Sequence, residues 1–397
     1  MIIYTSGTTG RPKGVVTTHR NIAAQIGALV NAWGWSPNDR IYHALPLHHI
    51  HGIINALNCG LASGATVEMA PKFRADQAWQ RWTDPDSPPI SLFMAVPAMY
   101  SKLLQAYDGM GGPAQDQARA ACGQFRLMVS GSSALPQPLF RRWREVSGHT
   151  LLERYGMTEI GMALSNPADA PGQRVEGNVG FPLSGVKVRL VDSGGRDITD
   201  QPDVSGELLV AGDAVFQEYW NRPDATRAAF LLSDDGTRWF KTGDTASVGH
   251  DSKSGSPATN ASLPPGYWRI LGRNSQDILK SGGYKLSALE IERQLLAHPQ
   301  VADVAVVGVP DETLGQTVAA IVQVVPPETD SVLMAGTILS PGALVEFCRP
   351  RMARYKIPRT WKLSTEDIPR NAMGKVNKKD LVRLYFPDEV SAAATKS

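Results

Sequence analysis

The chain has 397 residues, of which 42% are hydrophobic and 20% charged, so it is long enough for two or three domains with substantial cores. Forty basic residues against 38 acidic ones leave a formal net charge of +2, which excludes the basic excess of a nucleic-acid-binding domain, and no apolar run reaches the roughly 18 residues of a membrane span. Three widely separated cysteines indicate a reducing compartment and argue against a disulfide framework.

The first predicted elements are a short strand, MIIY, and a glycine- and hydroxyl-rich loop over 4–14. Glycine allows successive backbone N–H groups to converge on phosphate oxygens, and hydroxyls and a lysine add further donors. The spacing is not that of a Walker loop, because Pro12 stands where glycine is needed and Gly14 follows the lysine. We therefore predict another kind of phosphate-binding loop, with these candidate residues: Thr5, Ser6, Gly7, Thr8, Thr9, Gly10 and Lys13.

The first half of the chain alternates apolar runs with helical patterns. LFMAVPAMY, FRLMVSGS and TLLERYGMTE each predict a buried strand that ends in a polar turn, and RRWREVSG predicts a helix between two of them. This βαβ rhythm is typical of a largely parallel sheet, with functional loops at the carboxyl ends of its strands.

From about Gly180 the strands become short and alternate with turn residues, which indicates a small antiparallel sheet or barrel. The segment 249–266 has little to bury and is predicted to be a mobile surface insertion. Beyond Arg273 a helix (SALEIERQLLAHP), two strands (VADVAVVGVP and TVAAIVQVV) and a basic tail predict a compact domain. The expected fold class is α/β: a large N-terminal domain over 1–273, with a barrel-like subdomain, and a small α+β domain over 274–397.

The N-terminal loop resembles the signature of the adenylate-forming superfamily, which includes acyl-CoA synthetases, firefly luciferase and peptide-synthetase adenylation domains. Six further signatures of that superfamily follow in its order: LPLHHIHG, SGSSALP, ERYGMTE, WFKTGD, GRNSQDILKSGGYKL and PRNAMGKVNKKDL. Ordered matches over nearly the whole chain are far more specific than one motif. The chain is identified as a member.

The resemblance implies a nucleotide site. Small residues of SGSSALP would accept the purine, and Tyr155 would stack on it. Thr158 would contact the α-phosphate, and Glu159 would supply a hard oxygen ligand for Mg²⁺. The other implied nucleotide-binding residues are Gly131, Ser132, Gly156, Asp244, whose carboxylate would accept the ribose hydroxyls, and Arg273, which would assist there.

Two further implied roles concern the C-terminal domain. Lys375 would stabilise the negative charge that builds up during adenylation. The domain would then turn about a hinge near Ser275–Asp277, where this chain has one residue more than many relatives. The loop formed by Ser281, Gly282 and Gly283 would reach the acyl-adenylate in the thioester step and leave room for coenzyme A.

Arg154 stands where many fatty-acyl and aryl ligases have glycine. An arginine would block an apolar tunnel, and a second carboxylate on the substrate would compensate its charge. The surrounding motifs are similar to those of malonyl-CoA synthetases, so malonate is the expected acid. The alternative is a structural ion pair with Glu153 or another acid. A histidine-only HHxH pattern is a weak zinc signal. The resemblance implies instead that His49 and His51 line the acyl or CoA channel.

The resemblance thus implies an acid:CoA ligase that uses ATP, Mg²⁺ and coenzyme A, with small molecules and no obligate protein as partners. The alternatives are a monocarboxylate–CoA ligase, a module that loads a carrier protein, and a fragment that only binds nucleotide.

In the superfamily roughly 150 residues precede the phosphate loop, about one domain. The N-terminal domain is therefore expected to be incomplete, and the chain alone poorly soluble with little activity. This form is expected in the cytoplasm, or in mitochondria if a longer form carries a transit peptide.

Overall fold

The structure is a computed structural model that describes residues 1–5, 12–202, 204–249, 265–325, 339–370 and 376–394. These residues form two compact units. The first contains Met1–Thr242 with 246–249 and 265–270, and the second contains Gly243–Thr245 and the residues from Leu271 onward. Most of the insertion predicted at 249–266 lies outside the described residues.

The strands, in chain order, are β1 (Ile2–Thr5), β2 (Lys13–Val16), β3 (Arg40–His43), β4 (Thr66–Met69), β5 (Leu92–Ala95), β6 (Leu127–Ser130), β7 (Leu152–Met157), β8 (Gly161–Ser165), β9 (Phe181–Pro182), β10 (Lys187–Val191), β11 (Ser205–Ala211), β12 (Glu218–Tyr219), β13 (Phe230–Leu232), β14 (Arg238–Val248), β15 (Trp268–Arg273), β16 (Ile278–Ser281), β17 (Tyr284–Ser287), β18 (Val301–Asp311), β19 (Gly315–Val324) and β20 (Thr360–Ser364).

The α-helices, in chain order, are α1 (His19–Ala32), α2 (Cys59–Ala62), α3 (Ala75–Thr83), α4 (Pro97–Asp108), α5 (Gly112–Cys122), α6 (Gln137–Ser147), α7 (Pro223–Ala229), α8 (Ala288–Leu295), α9 (Pro341–Cys348), α10 (Lys378–Tyr385) and α11 (Pro387–Ala394). A π-helix, His51–Asn58, leads directly into α2, and short 3₁₀ turns occur at Pro171–Gln173 and Arg354–Lys356.

The main sheet of the first unit has seven strands in the order β4-β3-β5-β6-β7-β8-β9. The pairs from β4 to β7 are parallel, and β8 and β9 are antiparallel additions. All residues of β5 and β6 are buried, which explains why these segments are continuous apolar runs. Because parallel strands end at one edge, the turns after β6 and β7 lie side by side, as the βαβ rhythm predicts.

The remaining strands of the first unit form smaller antiparallel arrangements. One sheet has the order β1-β2-β12, and another runs β10-β11-β14-β13 with β15 beside β14. The second arrangement begins after Gly180 and confirms the predicted change to short antiparallel strands.

The second unit is built on the sheet β17-β16-β19-β18, with β20 parallel to β19. Strand β18 is apolar on both faces because each face packs on a separate core. Val304 and Val306 pack in the same core as Leu344, and Val307 and Val309 in the same core as Leu381. The fold is the predicted large α/β domain with a smaller α+β domain.

One sequence prediction at this level is wrong. LFMAVPAMY is not one strand, because β5 stops at Ala95 and α4 begins at Pro97. Proline lacks the N–H that the first turn of a helix leaves unpaired, and its fixed φ suits that position, so the apolar run is divided between two elements.

The three cysteines are free and buried. Burial raises the thiol pKa to about 12 for Cys59, about 12 for Cys122 and about 11 for Cys348. Three free thiols agree with the prediction that the chain has no disulfide framework. None of the helices in the described part of the chain is both long and apolar enough to cross a membrane.

Candidate active site

Arg154 lies on β7 and is only 6% exposed. Its Nε and Nη2 atoms have no hydrogen-bond partner among the described residues. Burial lowers the pKa of the guanidinium to about 9, so it remains protonated at neutral pH. The guanidinium lies directly against Gly131 at the end of β6, where an added Cβ would be 2.2 Å from Arg154 Cζ. Glycine is therefore required at 131 to make room for this cation.

The structural alternative for Arg154, an ion pair with Glu153, is wrong. Successive side chains of a strand point to opposite faces, so these two neighbours diverge. Glu153 Oε1 instead accepts a hydrogen bond from Gly177 N at 3.0 Å. The ion pairs of the described residues do not include Arg154, so no acid in this part of the chain is paired with the buried guanidinium.

His51 approaches the same place from the start of the π-helix. Its Nδ1 lies 3.2 Å from the hydroxyl of Ser132, which has an unusual positive φ of 70°. Burial lowers the pKa of His51 well below its usual value, and the nearby charges of Arg154, His43 and His49 lower it further. His51 is therefore neutral at pH 7. The structure thus brings Gly131, Ser132, Arg154 and His51 together.

Several buried polar atoms around this cluster also lack partners among the described residues. They are His43 Nε2, His51 Nε2, Ser130 Oγ and both amide atoms of Asn55. Asn55 is fully buried and follows His51 by about one helical turn, so both face the same side of the π-helix. Buried polar groups are normally satisfied, and so many unsatisfied ones indicate a site for a polar ligand or water. Neither Asn55 nor Ser130 was predicted from the sequence.

The histidine cluster shows no sign of a metal centre. Within the described ranges, no group of three or more His, Cys, Asp or Glu side chains is placed to hold a metal ion. The rings of His48 and His49 are in contact, with centroids 4.3 Å apart and planes inclined at 52° to each other.

Of the predicted phosphate loop, the structure describes Thr5 at one end and the residues from Pro12 onward at the other. Thr5 ends β1 and Lys13 begins β2, and the two residues are paired in an antiparallel register that closes the base of the loop. Ser6, Gly7, Thr8, Thr9 and Gly10 lie outside the described residues. Lys13 Nζ is 4.8 Å from the ring centroid of Tyr219.

Tyr219 joins Lys13 to the ERYGMTE segment. Strand β12 pairs with β2 next to Lys13, and the Tyr219 hydroxyl donates to Glu159 Oε1 at 3.0 Å. No local pattern in the sequence relates these residues, which is why Tyr219 was not predicted. The ring of Tyr219 contacts Lys13 and its hydroxyl binds the buried carboxylate of Glu159, so both charged residues lie close to this tyrosine.

The ERYGMTE segment is β7 followed by a tight turn. Tyr155 and Thr158 are partly buried, and Glu159 is 9% exposed in the turn between β7 and β8. At Gly156 an added Cβ would lie 2.1 Å from the carbonyl oxygen of Gly161, so only glycine allows this hairpin to close.

In the second unit, Asp244 and Arg273 are brought together as expected. Arg273 Nε donates to Asp244 Oδ1 at 2.9 Å, and the Asp244 side chain is only 8% exposed. Asn274 N donates to Gly243 O at 2.8 Å, so the TGD and GRN segments are joined by their backbones as well.

The SGG segment is a hairpin turn between β16 and β17. Ser281 pairs with Tyr284, and both Gly282 and Gly283 have positive φ, of 56° and 82°. Two successive residues of positive φ make the turn that glycine favours. Lys375 lies outside the described residues.

The comparisons with known proteins agree with this arrangement. Residues 1–220 match the family described as AMP-binding enzyme, and residues 290–375 match the AMP-binding enzyme C-terminal domain. The chain belongs to the AMP-binding enzyme family. Relatives in this family include the mitochondrial malonate–CoA ligase ACSF3 of Mus musculus, which is 50% identical over 98% of this chain and 64% of its own length. The same protein of Homo sapiens is 49% identical, over 98% of this chain and 66% of its own length. The chain thus spans about two thirds of these curated relatives.

Solved structures of the family share the fold. ATP-bound MatB from Rhodopseudomonas palustris has a TM-score of 0.80 at 34% identity, covering 98% of this chain and 68% of that chain. A malonyl-CoA ligase in a ternary product complex with methylmalonyl-CoA and AMP has a TM-score of 0.58 at 37% identity, covering 93% and 71%.

Proposed function

We propose that the protein is an ATP-dependent acid:CoA ligase whose acid is malonate. The observation that carries the proposal is Arg154, a buried guanidinium with two nitrogen atoms unpaired in the part of the chain that the structure describes. The names of the curated relatives, malonate–CoA ligase, support it.

In the first half-reaction, one malonate carboxylate attacks the α-phosphorus of ATP and pyrophosphate leaves. In the second, the CoA thiol attacks the activated carbonyl, gives up its proton and expels AMP. Malonate has a second carboxylate that takes no part in the chemistry. Arg154 binds this group and receives the counter-charge it lacks. His51 is neutral and Ser132 carries a hydroxyl, so neither adds a competing charge.

A monocarboxylate would leave the guanidinium uncompensated. Hydrogen bonds to charged groups contribute about 1.5–3 kcal/mol each, so their loss lowers selectivity by about tenfold or more per bond. The guanidinium also fills the space beside Gly131 into which an apolar tail would extend.

The proposal also gives each predicted residue of the nucleotide site a part of the nucleotide to bind. Tyr155 and Thr158 bind the adenine and the α-phosphate, Lys13 with the loop after β1 binds the outer phosphates, and Asp244 with Arg273 binds the ribose. Lys375 stabilises the charge of the adenylation transition state, and the turn at Ser281–Gly283 serves the thioester step.

Mg²⁺ fits the donor set near Glu159. Magnesium in nucleotide sites is held by one or two carboxylates together with phosphates and water, so it needs no cluster of protein ligands. Glu159 supplies one buried carboxylate. When bound, the ion would neutralise charge on the phosphates.

Both curated relatives carry the word mitochondrial in their names. We propose a mitochondrial location for the whole protein on this ground, and microscopy of a tagged full-length form tests it.

A panel of acids tests the proposed substrate. Pyrophosphate release is measured with malonate, acetate, propionate and octanoate, for the wild type and for Arg154→Met. We expect malonate to exceed the monocarboxylates by about 100-fold in kcat/KM, as loss of two charged hydrogen bonds implies, and Arg154→Met to abolish that preference. A wild type that favours octanoate would contradict the proposal and indicate a monocarboxylate ligase.

A further inference from the structure

Tyr219, on β12, is a buried tyrosine that contacts two charged residues of the proposed nucleotide site. The residue is 6% exposed, and its hydroxyl donates to Glu159 Oε1 at 3.0 Å. The Nζ atom of Lys13 lies 4.8 Å from the centroid of its ring. One side chain therefore contacts both the carboxylate proposed to bind Mg²⁺ and the ammonium group proposed to bind the outer phosphates.

The backbone around Tyr219 is joined to the same two places. Phe216 N donates to Glu159 O at 2.8 Å, and Trp220 N donates to Gly14 O, next to the lysine, at 2.8 Å. Between these two bonds, β12 pairs with β2 in an antiparallel register that includes Tyr219. The tyrosine therefore has a fixed place relative to the backbones that carry the carboxylate and the ammonium group.

The ring of Tyr219 is held by aromatic packing. Its centroid lies 4.8 Å from that of Phe216, which in turn lies 5.2 Å from Phe230 and 5.3 Å from Phe240. From the other side, Tyr219 N donates to Thr226 Oγ1 on α7 at 3.0 Å. Packing and backbone bonds thus fix the direction of the hydroxyl before a ligand binds, which is the condition for a preorganised site.

A hydroxyl is well suited to orient a carboxylate that binds a metal ion. Carboxylates that ligate metals are themselves held by hydrogen bonds, and loss of such a bond typically costs about 10- to 100-fold in metal affinity or activity. Lysine or arginine in the place of Tyr219 would compete with the cation for the charge of Glu159, whereas a hydroxyl donates without neutralising it. The bond from Tyr219 is therefore compatible with Mg²⁺ binding.

We infer that Tyr219 is a positioning residue, which orients the Glu159 carboxylate for Mg²⁺ through its hydroxyl and holds Lys13 for the phosphates through its ring. The inference rests on the proposed function, because it deepens the roles given there to Glu159 and Lys13. Tyr219 acts through these two residues. Its hydroxyl and its ring have separate effects, so each can be removed in turn.

The test of the hydroxyl measures ATP binding to the full chain by titration calorimetry, once with EDTA and once with saturating Mg²⁺. The ratio of the two Kd values is the gain in ATP affinity that the ion provides. Tyr219→Phe keeps the ring and removes the hydroxyl, so we expect this gain to fall by about tenfold while the Kd in EDTA stays within about twofold of the wild type. An unchanged gain, or a wild type whose ATP affinity Mg²⁺ does not raise, would overturn the inference.

Tyr267→Phe is the matched control. Tyr267 is also buried, at 7% exposed, and its hydroxyl donates to a backbone carbonyl, Gln173 O, at 2.5 Å. This variant should keep the wild-type gain, and an equal fall would assign the effect to the loss of any buried hydroxyl. In a Glu159→Gln background, Tyr219→Phe should cause no further fall. A further fall there would show that the hydroxyl does not act through Glu159.

The ring is tested by a second substitution in the absence of metal. Tyr219→Leu removes the ring beside Lys13, and cation–π contacts at partly exposed sites contribute about 0.5–1 kcal/mol, which corresponds to about two- to fivefold in Kd. We therefore expect Tyr219→Leu to weaken ATP binding in EDTA by that factor relative to Tyr219→Phe. In a Lys13→Met background the two variants should bind ATP equally, and a remaining difference would refute the role of the ring.

These binding measurements separate the inference from the proposed function, because they contain neither malonate nor CoA. A wild type that shows the gain with Mg²⁺ but forms no malonyl-CoA would refute the proposed function, and the Tyr219 variants would still decide the positioning. A wild type that forms malonyl-CoA while Tyr219→Phe keeps the full gain would refute the positioning alone.

Discussion

At the scale of single residues, Arg154 and Arg174 show two ways to bury an arginine. Arg174 is 7% exposed and donates to three backbone carbonyls, those of Thr150, Pro167 and Ala168. Arg154 is buried equally well, yet two of its nitrogen atoms lack partners in the described part of the chain. Burying an uncompensated charge opposes folding, so Arg154 is better explained by ligand binding than by stability.

This contrast gives a prediction on stability. Arg154→Met should leave the free energy of unfolding of the ligand-free protein unchanged or raise it by about 1 kcal/mol, because a buried charge is replaced by an apolar side chain of similar length. Arg174→Met should lower it by about 2–4 kcal/mol, because buried carbonyls lose their donor. Urea unfolding of both variants measures the difference. A large destabilisation by Arg154→Met would assign that residue to the fold.

At the scale of elements, the site depends on how closely β6 and β7 approach at their carboxyl ends. Val129 pairs with Leu152 and Ser130 with Glu153, which brings the following residues Gly131 and Arg154 together. The chain can keep a guanidinium there only because residue 131 has no side chain.

Gly131→Ala should therefore act on the acid and not on the fold. The new methyl group would meet the guanidinium and not the backbone, so the arginine must shift away from its place. We expect KM for malonate to rise by about tenfold or more, equivalent to one weakened charged hydrogen bond, with KM for ATP changed less. Gly111→Ala is the control, since no atom lies within 4 Å of its added Cβ. Equal rises in KM for malonate and ATP would point to a general distortion of the loop.

The sequence predicted the elements better than it predicted their contacts. Apolar runs and turn residues located β6, β7 and α8, because these patterns follow from local geometry. The link from Lys13 through Tyr219 to Glu159 depends on pairing between β2 and β12, some two hundred residues apart, which no local pattern specifies. The sequence also left open an ion pair between Arg154 and Glu153, and only the structure shows that the Glu153 carboxylate turns to Gly177 N instead.

At the scale of the whole molecule, the two units have separate cores, and tryptophan distinguishes them. Of the nine tryptophans, only Trp361 lies in the second unit. Tryptophan fluorescence therefore reports mainly on the first unit, which also contains three buried or partly buried histidines of lowered pKa: His43, His51 and His149.

From the lowered pKa values of these histidines we predict how the stability of the first unit depends on pH. In each, burial is the largest cause of the lowered pKa, so below pH 6.5 the unfolded chain binds more protons than the folded one. Stability should be constant above that pH and fall below it, by at most about 1.4 kcal/mol per pH unit for each histidine. Urea unfolding between pH 7.5 and 5.5, followed by fluorescence, measures this slope.

His51→Gln should make the slope shallower, because it removes one group whose pKa folding lowers. A slope that is the same in the wild type and His51→Gln would show that His51 gains its proton as easily when folded as when unfolded.

The burial of all three native cysteines has a practical consequence. Thiolate is the nucleophile in thiol chemistry, and with raised pKa values these groups supply little of it and are shielded from reagents. A cysteine introduced at an exposed position in each unit would therefore be the main target of a maleimide dye. Donor and acceptor dyes at two such positions would allow energy transfer between the units to be followed through a catalytic cycle, without first removing the native cysteines.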